Sequence, residues 1–194
     1  MLIGIYSPAP GCGKTTVARY LEQRGFKINS FATPIKDMTR NFLMNLGYNH
    51  EEAVEAISTK TDTVKGIDPP ISVRDLLRTL GTEWGRDNVH PEVWIKCWLA
   101  KYEQLINLQG DHFYERTTGP SIVVDDVRFL NEAKLITKLG GKLWELRRTD
   151  AEATHHSTHR SDGGLTGCNF DKTIYKNGSI EDLHAQILEI LIPN

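Results

Sequence analysis

Residues 1–20 read MLIGIYSPAPGCGKTTVARY. Met1 to Tyr6 is a short apolar run of strand type, and Val17 to Leu21 opens an amphipathic helix. Between them stands Gly11-Cys12-Gly13-Lys14-Thr15-Thr16. A strand, a glycine-rich turn closing on Lys-Thr, and a helix, in that order, make a phosphate-binding P-loop. Glycines let the backbone curl until successive N–H groups converge on one concavity, and the helix adds the positive end of its dipole. Lys14 then reaches the outer phosphates of a nucleotide, and the Thr15 hydroxyl is suited to Mg²⁺. Pro8 stands where the usual pattern has its first glycine, so the motif fits from its middle onward. The Gly-x-Gly-Lys-Thr core carries the phosphate contacts, and the fixed φ of proline gives the loop a different opening angle.

Working outward, the chain of 194 residues is long enough for one full hydrophobic core, as a single domain or a domain with a lid. A net charge of −2 gives no global attraction to nucleic acid and leaves only a local basic groove as an option. Cys12, Cys97 and Cys168 are odd in number and form no paired motif, which points to a reducing, cytoplasmic setting. The apolar run before the loop, about six residues, is too short for a signal peptide or a membrane span, so no membrane partner is expected. No internal repeat or low-complexity tract is present.

After the loop helix, Gly25 ends a turn and Phe26 to Phe31 reads as a second strand. Thr33 and Pro34 suit an N-cap and first helical position, and that helix runs to about Leu46 with Lys36 and Arg40 on one face. Residues 49–70 are more polar, with a short helix capped at Asn49. Such an insertion is either the place of a second substrate or a solvated connector. Ile71 to Trp84 is the next helix, with Ser72 as its cap and Arg74 and Arg78 four residues apart. Trp84 and Arg86 follow. Three arginines in thirteen residues suit an anion-binding wall, since guanidinium grips phosphate bidentately. The plainer reading is ion pairing with Asp75, Glu83 and Asp87. Pro91 starts a long helix, Val93 to about Leu108, whose Trp94 and Trp98 are core candidates.

Ser121 to Val124 is a strand of the buried type that ends in Asp125 and Asp126. A carboxylate at a strand end is what a P-loop enzyme needs beside Mg²⁺. A helix led by Asn131-Glu132 and closed by Gly140-Gly141 comes next, then a strand from Lys142 to Leu146 followed by Arg147-Arg148. Residues 149–170 have the composition of a mobile lid. His155, His156, His159 and Cys168 lack a second paired element for zinc, so a metal there is disfavoured. Asp171 to Tyr175 is the last strand, and Asn177-Gly178-Ser179 turns into a final helix over 180–192. Five strands alternating with helices imply a mostly parallel sheet covered on both faces.

FATPIKDM, LLRTLGTEWGR, VVDDVRFLNEA, Arg147-Arg148, HRSD at 159–162 and YKNGS together resemble, in order along nearly the whole chain, the phage deoxynucleoside monophosphate kinases. The resemblance implies an α/β P-loop NTPase fold of the nucleoside monophosphate kinase type: about five mostly parallel strands flanked by helices, with a lid. It implies one domain over 1–194, a substrate-binding helical insertion near 49–110 and the lid near 149–170. It implies transfer of the γ-phosphoryl of ATP to a deoxynucleoside monophosphate with Mg²⁺, in the cytoplasm of the infected host if the chain is phage-encoded. By motif, Gly11, Cys12, Gly13, Lys14, Thr15 and Thr16 would hold ATP, with Arg147 and the adenine-side turn Asn177, Gly178 and Ser179. Thr15 with Asp125 or Asp126 would serve the metal. Lys36, Arg74, Arg78, Trp84, Arg86 and Arg128 would face the monophosphate. Lys14, Arg128, Arg147 and Arg148 would be catalytic, with Arg160 a further lid arginine. Asp162 stands where related chains tend to have glutamate. The oligomeric state is left open, a homodimer included.

Two other readings compete. A P-loop kinase acting on hydroxymethyl pyrimidines in phage DNA would need a carboxylate such as Asp37 or Asp126 as base, and only there is nucleic acid a partner. A nucleotide-binding module without catalysis is opposed by the intact Lys14, Thr15 and Asp125.

Overall fold

The computed structural model describes residues 1–9, 11–60, 62–107, 120–148, 164–165 and 167–192. These divide into two compact units, Met1–Ser30 with Lys101–Asn194, and Phe31–Ala100. The insertion expected over 49–110 lies across both, with 49–100 in the second unit and 101–107 in the first. Of the lid expected over 149–170, only Gly164, Leu165 and 167–170 are among the described residues. Arg160, Asp162 and the three histidines 155, 156 and 159 lie outside them.

The first unit holds a sheet built on β1 (Leu2–Tyr6), which is buried along its whole length. Around it lie β2 (Lys27–Ile28), β3 (Ile122–Val124), β4 (Lys142–Arg147) and β5 (Lys172–Tyr175), in the order β2-β3-β1-β4-β5. Every pairing is parallel, with Ile3 opposite Val123 on one side and Lys142 on the other. Parallel strands need both faces covered, which is why β1 and β3 are apolar without alternation. Helices α1 (Lys14–Glu22) and α7 (Ile180–Leu191) contribute Val17, Leu21, Leu183 and Ile187 to the core, against Ile3, Ile5, Val123 and Trp144 of the strands.

The sheet order matters more than its size. The chain leaves β1 for β2 on one side, returns to β3, then crosses β1 to β4 and β5. Ligands of open parallel sheets bind beyond the carboxyl ends of strands where the winding changes sides. Here that end carries the glycine loop after β1, Asp125-Asp126 after β3, Arg147-Arg148 at the end of β4 and Lys176-Asn177 after β5. The strand expected over 26–31 is shorter. Asn29 still donates to the Val123 carbonyl at 2.9 Å, but the Ser30 hydroxyl turns to Asp125, so the last residues leave the ladder for the site.

The second unit is helical: α2 (Thr33–Asn45), α3 (His50–Thr59), α4 (Val73–Thr79), a π-helical segment (Leu80–Val89) and the start of α5 (Val93–Asn107). Asn49 and Glu52 exchange the two bonds of a capping box, and Ser72 accepts from the Asp75 amide at 3.1 Å. Helix α2 begins at Thr33, the expected cap, so Ala32 takes the cap position and Pro34 falls in the first turn. Leu43, Tyr48, Ala53, Ile57, Val64 and Val73 form the local core. Among the described residues no helix is long and apolar enough to cross a membrane.

The expected helix 71–84 instead widens after Thr79 and continues to Val89. The reason lies in Trp94. Its indole Nε1 donates to the Gly81 carbonyl at 2.6 Å, and a Cβ on Gly85 would stand 2.4–2.7 Å from its ring atoms. A side chain at Gly85 would exclude the ring. Runs of π geometry are uncommon and often mark functional segments. Gly85→Ala is expected to cost about 1–3 kcal/mol by overpacking, lowering the melting midpoint by about 2–4 °C per kcal/mol for a chain of this size. In Gly81→Ala the new methyl meets only the end of Ile35, at 3.1 Å, and the change is smaller. Circular dichroism melts compare the two, and equal midpoints would contradict the packing argument.

Candidate active site

The loop after β1 is built by left-handed backbone. Gly11 has φ 79° and Gly13 φ 99°, conformations that side chains with a Cβ rarely adopt. Gly13 is the N-cap of α1, and its carbonyl accepts the first helical bond, from Val17, at 3.1 Å. The Cys12 side chain is buried in the core, so the loop is anchored from beneath. Lys14 is the first residue of the helix, and its Nζ donates to Ser7 Oγ at 2.9 Å. Ser7 in turn donates to the Ala9 carbonyl at 2.5 Å, which fixes its orientation. Ser7 was not singled out in the sequence, although it opens the loop directly after the strand.

Lys14 is electrostatically uneasy. Burial lowers its pKa from the ordinary lysine value, and the positive charge of Arg128 lowers it further. Cys12, Asp125 and Asp126 act in the opposite direction and do not cancel the effect. These charges come from different loops at the same end of the sheet, so the structure brings Lys14, Asp125, Asp126 and Arg128 into one electrostatic neighbourhood. Asp125 is held by Ser30, whose hydroxyl donates to Oδ1 at 2.5 Å. Arg128 is exposed, but its backbone is fixed. The buried carboxylate of Glu132 accepts from the amides of Arg128 at 2.7 Å and Phe129 at 3.1 Å, at the start of α6 (Leu130–Lys138). Glu132 was legible only as part of a helix start; its burial is a tertiary fact.

On the other side of β1, Arg147 ends β4 opposite Tyr175, and its carbonyl accepts from the Lys176 amide at 2.9 Å. Arg147 and Arg148 are both half-buried. Asn177, Gly178 and Ser179 form an exposed turn locked by Ser179 and Asp182, which exchange bonds of 2.9 and 3.1 Å at the start of α7. Thr15 is exposed and Thr16 half-buried at the head of α1.

The remaining candidates belong to the helical unit. Arg74 is exposed and Arg78 half-buried on α4; Arg78 stands 3.9 Å from Asp75, a loose surface pair. Trp84 is 42% exposed on the π segment, its ring 6.3 Å from that of Trp94. Arg86 is only 7% exposed, and Nη1 donates to the Pro91 carbonyl at 3.1 Å, so part of its guanidinium serves the segment's own turn. Lys36 is half-buried on α2, where Asp37 pairs with Arg40 at 3.0 Å. Cys12, Cys97 and Cys168 are all free.

As a Mg²⁺ site the donor set is spare but chemically apt. Among the described residues no three His, Cys, Asp or Glu side chains cluster. The Thr15 hydroxyl and the Asp125 or Asp126 carboxylate are hard oxygen donors beside a phosphate cradle, and Mg²⁺ is commonly held by one or two carboxylates plus substrate phosphates and water.

Comparison with known proteins gives the family. A family model described as deoxynucleotide monophosphate kinase matches residues 39–187, more than half of the chain. A protein of Acanthamoeba polyphaga mimivirus, provisionally described by the same activity, is 29% identical over 97% of this chain and 94% of its own length. The deoxynucleotide monophosphate kinases of Escherichia phage RB69 and Enterobacteria phage T4 are 25% and 26% identical. They match over 78% and 70% of this chain, which spans 58% and 52% of their lengths.

The strained state of Lys14 has a pH signature. An ordinary lysine releases its proton near 10.5, and folded Lys14 releases it earlier. Between those two values the unfolded chain binds more protons, so stability rises with pH through the window; below it the full penalty of the charged group is present. The unliganded protein is therefore expected to gain stability relative to Lys14→Met as pH is raised from neutrality toward 10.5. Urea unfolding of both proteins across that range measures it, and a wild-type advantage that shrinks with pH would contradict it.

Proposed function

The chain belongs to the deoxynucleotide monophosphate kinase family, and from that premise we propose that it transfers the γ-phosphoryl group of ATP to a deoxynucleoside monophosphate. The observation that carries the reading is the glycine loop with Lys14 drawn in beside Ser7, at the same sheet end as the Asp125-Asp126 carboxylates. That combination of backbone amides, a partly buried ammonium and oxygen ligands suits a Mg-nucleotide polyphosphate.

Phosphoryl transfer needs in-line positioning and neutralised charge more than a reactive protein nucleophile. The acceptor oxygen of a monophosphate is already anionic, so no strong base is required. In this reading the loop amides from Gly11 to Thr16 grip the ATP phosphates, and Lys14 leaves Ser7 to meet the outer ones. Meeting an anion would also relieve the strain on its charge. Thr15 and Asp125 or Asp126 would hold Mg²⁺, which when bound offsets negative charge on the transferring phosphates. Arg128, Arg147 and Arg148 supply further cations around the reacting group, and the turn at 177–179 borders the adenine. Lys36, Arg74, Arg78 and Arg86 serve the acceptor phosphate, and the exposed ring of Trp84 offers its base a stacking face.

Incubation of the purified protein with ATP and single deoxynucleoside monophosphates, with products separated chromatographically, tests the reading. Equimolar ADP and deoxynucleoside diphosphate are expected for at least one base. Arg78→Lys, which keeps charge but loses the planar fork, is expected to raise KM for that monophosphate while KM for ATP stays nearly constant. Labelling of hydroxymethylated DNA with no reaction on any free monophosphate would assign the chain to a DNA-directed kinase instead.

A further inference from the structure

Gly13 is crowded by a residue that the motif does not contain. A Cβ built on it would lie 3.0 Å from Lys176 Cδ, 3.1 Å from Lys176 Nζ and 3.5 Å from Cε. The Lys176 stem therefore runs across the bare Cα of the glycine that caps α1, with its ammonium at the rim of the phosphate cradle. A φ of 99° favours glycine at position 13, and its bare Cα leaves room for this approach.

The backbone that delivers Lys176 is fixed on both edges. Its amide donates to the Arg147 carbonyl at 2.9 Å on the inner side. On the outer side the Gln186 side chain of α7 satisfies Tyr175, accepting from its amide at 3.2 Å and donating to its carbonyl at 3.0 Å. The following turn is locked by Ser179 and Asp182. Pinning both free groups of an edge-strand residue is more than termination of a sheet needs. It holds position 176 in register with the loop. Among the described residues no carboxylate pairs with the Lys176 ammonium. Lys14, by contrast, is turned inward to Ser7, so the two ammonium groups approach the cradle separately, one from within and one from the rim.

We propose that Lys176 is a second phosphate-binding cation of the nucleotide site, held by β5 over Gly13 to contact the phosphate chain of ATP or ADP. The proposal rests on the reading of the glycine loop as the nucleotide cradle. Lys176 adds what Lys14 alone cannot: a charge that stays on the donor nucleotide's side, anchored to the same segment as the Asn177–Ser179 turn. It would bind substrate and product nucleotide alike, so its effect falls on affinity rather than on the transfer step.

Calorimetric titration of ADP into the full chain tests this with three variants. Lys176→Gln is expected to raise the Kd for ADP about tenfold, the loss of one charge-assisted contact, and to flatten its salt dependence. Its unliganded melting midpoint should match wild type, because the lost ammonium holds no other described group. Lys176→Arg keeps the charge and should stay within about threefold of wild type. If Lys14→Ala weakens ADP binding while Lys176→Gln does not, Lys176 is only a cover for Gly13 and the proposal is overturned. If Gln and Arg lose affinity equally, stem packing and not charge is responsible, which also overturns it. No ADP binding by wild type, or none lost in Lys14→Ala, would instead overturn the cradle itself.

Discussion

A lysine ammonium held partly out of water is the constraint on which this structure turns. Lys14 sits at the head of α1, where burial together with the charge of Arg128 makes its own charge unfavourable. Ser7 gives it a neutral hydrogen bond, and Asp125 and Asp126 give it partial compensation from the neighbouring strand. None of these is a full counter-ion. In the proposed function a polyphosphate bound across the loop amides would supply one, and the cost of the buried charge would be recovered on binding, as electrostatic preorganisation requires.

The sheet order is what makes this possible. With β1 between β3 and β4, the loops after three neighbouring strands open at one end, and each brings a different charge type: loop amides, carboxylates and guanidinium groups. Parallel pairing on both sides buries β1 along its whole length, so the loop springs from a buried strand. The supporting contacts are made by residues without chemistry of their own. Glu132 pins the backbone of Arg128, Ser30 holds Asp125, and Gln186 clamps the end of β5. A site that must position charge closely depends on such supports.

The legible parts of this site were the local ones. Gly11 to Thr16 lie in a single turn, so their spacing alone reveals the glycine loop and the helix start, and the apolar run before Asp125 marks a buried parallel strand. Caps at Asn49 and Ser72 were readable because capping is decided within four residues. What escaped was tertiary. The π geometry after Thr79 depends on Trp94 arriving from a later helix, and no pattern in LGTEWGR encodes that meeting. Arg86 reads as part of an anion-binding wall or a surface ion pair, yet it is buried and donates to the Pro91 carbonyl. Lys176 stood in plain sight before the Asn-Gly-Ser turn; only the fold shows that it crosses Gly13. Strand ends were misjudged where polar residues such as Ser30 abandon the ladder to hold a site residue.

The central claim is that Lys14 serves the phosphates of a transferring nucleotide and not the fold. Steady-state turnover of Lys14→Ala with ATP and an accepted deoxynucleoside monophosphate, alongside a melting curve of the same preparation, tests it most directly. Loss of a cation from a water-poor phosphate site is predicted to lower turnover on the order of a hundredfold or more with folding retained. A fall of less than about threefold in a folded variant would contradict the account.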